Sequence, residues 1–280
     1  MPELPEVETV CRGLAVKLEG RRLRRVIQRR PDLRFPLPAR FAARLQGRLI
    51  VRVDRRAKYI LIHLDDGNVI LGHLGMSGSM IADIAPVTAF DRHDHVIFET
   101  DDGTAIRFND ARRFGFMDLV AGRELDRHPL LKKLGPEPLS PTFAGPTLAA
   151  ALAGKKTSIK AALVDQQVVA GIGNIYASES LYRAGISPRR MAKTVQGQRA
   201  ERLVAAVKQV LSEAIAAGGS SLRDFVQTNG ELGYFQHRWA VYEREGQPCP
   251  DCDCGAPAGG GVRRIVQTGR STFFCPRRQR

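Results

Sequence analysis

The dominant apolar periodicity of the chain changes at the segment LGPEPLSPTFAGP (134–146). Upstream of it, most apolar residues form short β-rich runs, and downstream they recur at the three- and four-residue spacing of helices. Proline and glycine within the segment break both patterns, which is typical of a linker. A chain of 280 residues with this arrangement is expected to fold as separate domains of different class, each with its own core.

The region upstream of the linker predicts one helix followed by strands. Apolar residues between Val7 and Leu18 follow helical spacing, so residues 3–19 are expected to form an amphipathic helix. Five β-rich runs come next: LIVRV, YILIHL, NVILGHL, DHVIFET and TAIRFND. Two DDG tripeptides between these runs are typical of tight hairpin turns. We therefore predict an N-terminal domain, residues 1–134, made of a helix and an antiparallel β sandwich.

The region downstream predicts helices and then a small tail. Helical spacing marks the stretches TSIKAALVDQQVV, NIYASESLYRAG and GQRAERLVAAVKQVLSEAIAAG. From about Glu243 the chain is rich in Gly, Pro and Cys, and is too short to form a stable core without a staple. The predicted fold class is α+β multidomain, with a linker at 135–150, a helical domain at 151–235 and a C-terminal module at 236–280.

The charge balance favours a polyanionic partner. Lys and Arg number 43 against 29 Asp and Glu, a formal net charge of +14, and thirteen arginines lie between Arg21 and Arg56. Such a field attracts nucleic acid or an anionic membrane surface. The sequence contains no apolar run of the roughly 20 residues that span a bilayer, and its acidic N-terminus lacks a signal-peptide core. We therefore expect a cytoplasmic nucleic-acid-binding protein; the alternative is a merely basic protein.

The cysteines indicate a metal site rather than disulfides. A cytosolic chain of this size does not usually rely on disulfides. Cys11 stands alone at an apolar helical position and is predicted to be a core residue, whereas Cys249, Cys252, Cys254 and Cys275 all lie in the last 32 residues. This clustering predicts that the tail binds a metal ion.

The N-terminal decapeptide MPELPEVETV has two interpretations. Proline and acidic residues favour helix initiation. The alternative is chemical, because removal of Met1 leaves Pro2 as a free secondary amine with an unperturbed pKa near 8. Such an amine attacking a sugar C1′ forms an iminium ion, an electron sink that favours loss of a base and then of the flanking phosphates. Glu3 is placed to protonate the ring oxygen or to shuttle protons.

Eight motifs, in order, are similar to those of one known family. MPELPEVET, RRAKYILIHL, HLGMSGSM, RHDHV, FNDARRFG, LGPEPL, GIGNIYASESL and QTGRSTFFC resemble formamidopyrimidine-DNA glycosylase, the bacterial repair enzyme for oxidised purines. The resemblance runs from Pro2 to Cys275. The related endonuclease VIII, which prefers oxidised pyrimidines, typically has Gly where this chain has Leu4, so Leu4 favours the purine enzyme.

The resemblance implies a bifunctional DNA glycosylase and AP lyase acting as a monomer on double-stranded DNA. Pro2 then resembles the Schiff-base nucleophile and Glu3 its acid/base partner. Lys58 resembles the proton donor of β-elimination, although in isolation it would be a solvated strand lysine. Arg270 resembles the arginine that holds phosphates and assists δ-elimination. The alternatives are a pyrimidine-specific glycosylase and a catalytically silent protein that binds damaged DNA.

The resemblance also implies how DNA is held. Met76 and Phe114 resemble the pair that fills the space left by an extruded base, and Arg112 the residue that reads the estranged cytosine; without the motif, Met76 and Phe114 would be interpreted as core. The residues that resemble backbone contacts are His73, His93, Lys155 and Asn174. His93 is equally consistent with a loop histidine. The glycines before Asn174 suit the turn of a helix–two-turn–helix motif, and 220–235 is predicted to contain a loop that closes over the base.

The C-terminal module departs from the family pattern of a β-hairpin zinc finger with two Cys-x-x-Cys pairs. The first segment, CPDCDC, has one cysteine more than needed, and Arg278 stands where the fourth ligand belongs. In one interpretation Cys249, Cys252, Cys254 and Cys275 together bind one structural zinc ion. In the other, Cys249, Cys254 and Cys275 form an incomplete or metal-free finger held by packing of Phe273 and Phe274.

Overall fold

The computed structural model describes residues 1–221, 227–254 and 260–280. These residues form two compact units. Unit 1 contains Met1–Lys132 and Ile215–Gln236, and unit 2 contains Lys133–Ala214 and His237–Arg280. Residues 222–226, in the predicted loop, and residues 255–259, after Cys254, lie outside the described part of the chain.

Unit 1 contains a long N-terminal helix, a second helix of five residues and two four-stranded antiparallel sheets, which confirms the predicted fold class for this region. The elements in chain order are α1 (Leu4–Leu18), β1 (Leu23–Gln28), α2 (Phe41–Leu45), β2 (Ile50–Arg56), β3 (Tyr59–Leu64), β4 (Asn68–His73), β5 (Gly78–Ile84), β6 (Asp94–Thr100), β7 (Thr104–Asp110), β8 (Phe116–Ala121) and a 3₁₀ turn (Gly122–Arg127). One sheet has the strand order β2-β3-β4-β8 and the other β1-β6-β7-β5.

The two DDG tripeptides form the hairpins that the sequence predicts. Gly67, between β3 and β4, has φ +80°, and Gly103, between β6 and β7, has φ +88°. Glycine adopts these left-handed values without the steric cost of a Cβ atom. Strands β1, β5 and β8 were not predicted. In β1, LRRVIQ, polar side chains occupy most exposed positions, so too few apolar residues remain for a clear alternation.

Helix α1 contributes to the core of the sandwich along its whole length. Leu4, Val7, Val10, Leu14 and Leu18 are buried, and the last four of them belong to one apolar cluster with residues from both sheets. The helix lies on β2 and β3, in the sheet that also carries β4 and β8. The buried face of α1 therefore fixes the position of the segment that precedes it.

Unit 2 is helical and ends in a two-stranded hairpin, as the predicted fold class requires. Its elements are α3 (Gly145–Leu152), α4 (Ile159–Val164), α5 (Asn174–Arg183), a 3₁₀ turn (Ala192–Thr194), α6 (Gln198–Ala216), β9 (Arg263–Gln267) and β10 (Arg270–Phe274); the last two residues of α6 fall in unit 1, and a further 3₁₀ turn (Phe235–Arg238) crosses the boundary between the units. Hairpin partners run from Arg270–Gln267 to Phe274–Arg263.

The structure differs from the sequence prediction at three boundaries. The predicted linker at 135–150 overlaps α3, because Pro146 lies in the first turn of that helix, where proline favours initiation. The helical stretch predicted to reach residue 169 ends at Val164 and continues as turns. Residues 215–236 group with unit 1, whereas the prediction placed 220–235 in the helical domain. Among the helices of the described residues, none has the length and apolar character needed to cross a membrane.

Candidate functional site

Pro2 and Glu3 lie ahead of helix α1 rather than in it. The helix begins at Leu4, with Glu3 as its N-cap, and the proline in its first turn is Pro5. Pro5 and Glu6 therefore provide the helix-initiating features that the sequence offered as one explanation of Pro2. Pro2 and Glu3 are both buried, and only 3% of Glu3 is exposed. Glu3 and Glu6 form a reciprocal capping box, so Glu3 caps the helix, whereas Pro2 lies outside it and takes no part in helix initiation.

The carboxylate of Glu6 holds two segments of unit 1 together. Its Oε2 atom accepts the backbone N–H of Glu3 at 2.8 Å, and its Oε1 atom accepts the backbone N–H of Ser220 at 2.8 Å. Glu6 is buried, and hydrogen bonds from two backbone amides offset the cost of burying its charge. The same carboxylate thus fixes Glu3 and the start of the segment 220–235.

Lys58 lies in the turn between β2 and β3, directly after the strand on which α1 packs. Glu8 of α1 contacts Arg55 at 2.9 Å, and Glu19, which follows the helix, accepts the amide of Val53 at 2.7 Å. The turn has Ala57 in a left-handed conformation, with φ +54°. Lys58 is only 6% exposed, which excludes the solvated strand lysine considered from the sequence.

His73 is held as a neutral side chain. Its Nδ1 atom accepts the backbone N–H of Gly75 at 2.9 Å, and its ring stacks on Phe116 with centroids 5.7 Å apart. Burial, together with the positive charges of Lys58 and Arg34, lowers the pKa of His73 to about 4. With Nδ1 accepting, the proton of the neutral ring resides on Nε2, which is then a hydrogen-bond donor.

Met76 and Phe114 lie on two loops whose backbones are in direct contact. Gly75 has φ +63°, and a Cβ atom there would lie 2.3 Å from the carbonyl carbon of Phe114. Only glycine permits this approach. Met76 is 38% exposed and Phe114 is 42% exposed. Both side chains therefore project from the surface, and the alternative that they are core residues is excluded.

Arg112 lies beside Phe114, and the buried carboxylate of Asp110 joins the two loops. The guanidinium of Arg112 lies over the Phe114 ring, 4.9 Å from its centroid. Asp110 accepts the Ser77 hydroxyl at 2.6 Å with one oxygen and the Gly115 amide at 2.8 Å with the other. Because Ser77 belongs to one loop and Gly115 to the other, Asp110 fixes their relative position.

His93 is half-buried and lies immediately before β6, where its backbone forms hydrogen bonds with Asp91 and Asp110. Its N–H donates to Asp91 at 2.8 Å, and its carbonyl accepts the Asp110 amide at 3.0 Å. The structure thus connects His93 to the Asp110 loop through the backbone. This arrangement is compatible both with a DNA contact and with the loop histidine considered from the sequence.

Lys155 and Arg270, separated by more than one hundred residues in the sequence, line one cleft of unit 2. The cleft has a volume of about 590 Å³, and its polar lining residues are Lys155, Lys156, Thr157, Asp165, Thr268 and Arg270. Asp165 approaches the ammonium group of Lys155 at 3.8 Å. The sharp turn before Arg270 uses Thr268 and Gly269, both at positive φ. Three cations around one concave surface favour an anionic ligand.

Asn174 is fixed against the hairpin by a buried lysine. Lys160 is fully buried and donates to Oδ1 of Asn174. This bond orients the amide, whose Nδ2 atom donates to the carbonyl of Ser271 at 2.9 Å and to Tyr242 Oη at 3.3 Å. Asn174 is also the first residue of α5, and the N-terminus of a helix favours a phosphate through its dipole.

The four C-terminal cysteines form one cluster capable of binding a metal ion. Their Sγ atoms all lie within 4.8 Å of one another. Cys249, Cys254 and Cys275 are buried, and Cys252 is half-buried. Burial opposes ionisation of Cys249, but hydrogen bonds from Tyr182, Cys252 and Cys254 outweigh it and lower its pKa to about 6. Cys11, by contrast, is buried in unit 1, where burial strongly raises its pKa, as expected of a core thiol.

Three residues that hold the site were missed in the sequence. Glu6 lies in a first turn where acids are common, and Asp110 sits inside a motif interpreted only for its later residues. Lys160 carried a usable signal, since it lies three residues before Leu163 and so on an apolar helical face. Their partners, Ser220, Ser77 and Asn174, are separated from them in sequence, and contacts of this kind leave no local pattern.

Family models and relatives account for nearly the whole chain. The formamidopyrimidine-DNA glycosylase N-terminal domain matches residues 1–117, and the H2TH domain of the same family matches residues 134–226. Formamidopyrimidine-DNA glycosylase of Rhodospirillum centenum is 61% identical and that of Rhodospirillum rubrum 59%, each over the full length of both chains.

Solved structures agree with these sequence matches. The MutM (Fpg) protein from Thermus thermophilus is 41% identical, with a TM-score of 0.86 over 99% of this chain and 98% of that one. The Lactococcus lactis Fpg, in a complex with DNA containing an abasic site, is 30% identical, with a TM-score of 0.88 over 99% of each chain. The chain therefore belongs to the formamidopyrimidine-DNA glycosylase family.

Proposed function

We propose that this protein is a bifunctional DNA glycosylase and AP lyase that removes oxidised purines from double-stranded DNA in base excision repair. The observation that carries the proposal is the Pro2–Glu3 pair, which is buried ahead of α1, fixed by Glu6 and accompanied in the same unit by the buried Lys58. Related proteins solved with abasic-site DNA and with DNA containing N7-benzyl-Fapy-dG support this class of substrate.

Pro2 is the nucleophile in this proposal. After removal of Met1, its secondary amine attacks C1′ of the damaged nucleotide, the N-glycosidic bond breaks, and the base leaves with the bonding electrons. Protonation of the ring oxygen by Glu3 opens the sugar and leaves an iminium ion between Pro2 and C1′. The amine loses its proton as the bond to C1′ forms, and Glu3 relays this proton to the ring oxygen. Because the nitrogen of the former secondary amine then carries no hydrogen, the iminium ion cannot be neutralised by losing a proton.

The iminium ion then drives strand cleavage. Loss of a C2′ proton lets the electrons move toward the iminium, and the 3′ phosphate leaves in β-elimination. Lys58 supplies a proton in this step and binds phosphate through its ammonium group. A second elimination releases the 5′ phosphate, with Arg270 holding the phosphates around the lesion.

In this proposal, the exposed loops that carry Met76 and Phe114 stabilise DNA whose damaged nucleotide is extruded from the base stack. Extraction of a purine leaves a space in the stack, which Met76 and Phe114 fill, while Arg112 hydrogen-bonds the estranged cytosine. The cation–π contact of Arg112 with Phe114 supports this assignment, because it holds the guanidinium beside the intercalating ring.

Phosphate contacts supply most of the affinity in this proposal. They come from the Nε2–H of His73 and from His93 in unit 1, and from Lys155, Asn174 and Arg270 in unit 2. The net charge of +14 strengthens the attraction. Lys160 acts through Asn174, whose side chain it fixes against the hairpin, so that the backbone at the start of α5 is held in place.

The metal ion bound by the cysteine cluster is zinc in this proposal. Thiolates are soft ligands that favour zinc, and a cluster of four suits a structural tetrahedral site. Zinc would cross-link the segment 249–254 to Cys275 at the end of β10 and so stabilise the hairpin that begins with Arg270; it takes no part in a chemical step.

The protein is proposed to work as a monomer in the bacterial cytoplasm, associated with the nucleoid during repair. Its proposed functional domains are the catalytic domain at 1–134, the DNA-binding domain at 151–235 and the finger at 236–280, with 135–150 as linker.

Excision from defined duplexes tests the function. The protein should release 8-oxoguanine opposite cytosine faster than thymine glycol opposite adenine, and the products should carry phosphates at both ends of the gap. The reverse preference would identify an oxidised-pyrimidine glycosylase. Tight binding of damaged DNA without base release by protein whose Met1 has been removed would identify a catalytically silent binding protein.

A further inference from the structure

The second Cys-x-x-Cys pair of the finger is incomplete, yet its turn is intact. The pair would comprise positions 275 and 278, and Arg278 occupies the second position. The backbone N–H of Gln279 donates to the Cys275 carbonyl at 2.9 Å. The backbone N–H of Cys275 in turn donates to the side-chain Oε1 of Gln279 at 2.8 Å. The backbone that would present a ligand at 278 is therefore closed as a turn, but the side chain there is a cation.

The side chain of Arg278 contacts Asp251 and Tyr182. Its guanidinium lies 3.3 Å from Asp251 Oδ2 and 5.0 Å from the centroid of the Tyr182 ring. The Tyr182 hydroxyl donates to the same Asp251 oxygen at 2.9 Å. Asp251 lies between Cys249 and Cys252, so Arg278 links the second turn to the cysteine-rich segment electrostatically.

Cys254 is placed to supply the missing sulfur. It is fully buried, and its Sγ atom accepts the backbone N–H of Cys249 at 3.2 Å, a contact that stabilises a thiolate. Cys252 Sγ lies 3.1 Å from Cys249 Sγ and 3.6 Å from Cys275 Sγ. A tetrahedron with zinc–sulfur bonds of about 2.3 Å places its sulfurs about 3.8 Å apart. All four Sγ atoms here, that of Cys254 included, lie within 4.8 Å of one another, so small adjustments suffice to surround one ion.

We propose that the fourth ligand of the finger has moved from position 278 to Cys254, so that Cys249, Cys252 and Cys254 bind zinc with Cys275, and that Arg278 stabilises the site through Asp251. This inference rests on the proposed zinc finger. Four thiolates around zinc leave a net negative charge, and the Arg278 cation next to Asp251 and the cysteine segment opposes it.

Restoring the family pattern provides a direct test in the full-length protein. The variants are Cys254→Ser, Arg278→Cys, the double variant Cys254→Ser/Arg278→Cys, and Cys11→Ser as a control at a cysteine of unit 1. Zinc content is measured by elemental analysis, and affinity by competition with a chromogenic chelator. Cys254→Ser should lower zinc affinity by more than about tenfold, since a lost ligand exceeds the effect of a lost outer contact. Adding Arg278→Cys should restore it to near the wild-type value, and Cys11→Ser should leave it unchanged.

X-ray absorption at the zinc edge of the wild-type protein provides a measurement that needs no variant. Four sulfur neighbours at about 2.3 Å are expected. Three sulfurs with one oxygen or nitrogen, wild-type zinc affinity in Cys254→Ser, or a double variant that binds zinc no better than Cys254→Ser would each overturn the proposal. If Cys254→Ser fails to fold, the absorption spectrum and recovery of zinc by the double variant decide.

The role of Arg278 is tested separately by Arg278→Gln. The variant should retain one zinc ion per chain but release it to the chelator severalfold faster; an unchanged release rate would remove Arg278 from the proposal. None of these outcomes depends on Pro2, because excision of 8-oxoguanine and a covalent adduct are assayed on the wild-type protein. A protein with four sulfur ligands but without excision activity would refute the proposed function and leave the ligand assignment standing.

Discussion

The Glu6 carboxylate accepts the backbone N–H of Ser220 at 2.8 Å, joining the first turn of α1 to a residue 214 positions later in the chain. Its other oxygen accepts the N–H of Glu3. One buried side chain therefore sets both the residue next to the proposed nucleophile and the start of the segment 220–235. Precise placement of reacting groups is a large part of catalysis, so this contact links folding to activity.

Glu6→Gln should impair both stability and Schiff-base formation. An amide offers one acceptor oxygen, and its NH₂ group would face a backbone N–H that needs an acceptor. We expect the free energy of unfolding to fall by about 1–3 kcal/mol, and single-turnover base release to slow in parallel. Urea unfolding and rapid-quench kinetics measure the two effects. Glu124→Gln, at an exposed site, is the control; equal behaviour of the two variants would contradict the role of Glu6.

Gly75→Ala should separate the loops that carry Met76 and Phe114. The new Cβ would lie 2.3 Å from the Phe114 carbonyl carbon, in addition to the strain of a positive φ. The expected loss of stability is roughly 2–5 kcal/mol. Gly103→Ala is a matched control, because Gly103 also has positive φ but a Cβ atom there would meet no atom of the described residues within 4 Å, and should cost about 1–2 kcal/mol. Thermal unfolding compares them; equal losses would show that the contact with Phe114 is unimportant.

Arg112→Ala should relax discrimination at the base opposite the lesion. Loss of a specific base contact is expected to reduce affinity for duplexes with opposite cytosine by about 1–3 kcal/mol, with smaller losses for other bases. Binding to non-cleavable lesion duplexes with each opposite base measures this. Arg113→Ala removes the same charge from the neighbouring exposed position and should preserve discrimination. A uniform loss for all four bases would assign Arg112 to phosphate binding.

Acid should destabilise unit 1 through His73. Its pKa is about 4 in the folded protein against 6.5 for an unperturbed histidine, so between these pH values the unfolded chain binds a proton that the folded chain does not. The neutral His73 ring therefore makes its full contribution to the free energy of unfolding above pH 6.5. This contribution is lost progressively as the pH falls toward 4, by up to about 3 kcal/mol. The difference in unfolding free energy between wild type and His73→Asn should shrink over this range. A difference independent of pH would contradict the neutral, buried state of His73.

Local patterns predicted the elements that are stabilised locally. The DDG turns, the buried face of α1 and helices α5 and α6 all carry the spacing or turn chemistry of the structure that they form. Strand β8, FMDLVA, has no such signal, because pairing with β4 across a long stretch of chain stabilises it. The Gly-Pro pair at 145–146 predicted a break, but begins α3.

Family motifs predict Pro2, Lys58 and Arg112 as site residues, whereas contacts between distant segments leave no motif. Burial of Lys58 and exposure of Phe114 became known only from the fold. The hydrogen bond between Glu6 and Ser220 joins residues that are 214 positions apart, so it depends on tertiary structure. Likewise, the sequence left two interpretations of the finger open, and the clustering of all four sulfurs favours the one with four cysteine ligands.

Borohydride trapping on a duplex with 8-oxoguanine opposite cytosine tests the central claim most directly. Reduction of the iminium ion should join the protein to DNA covalently, and mass spectrometry of the digested adduct should place the link on Pro2 at the N-terminus. Pro2→Gly, which keeps an amine but not a secondary one, should trap far less. An adduct on Lys58, or the absence of any adduct from protein whose Met1 has been removed and which binds the duplex, would contradict the account.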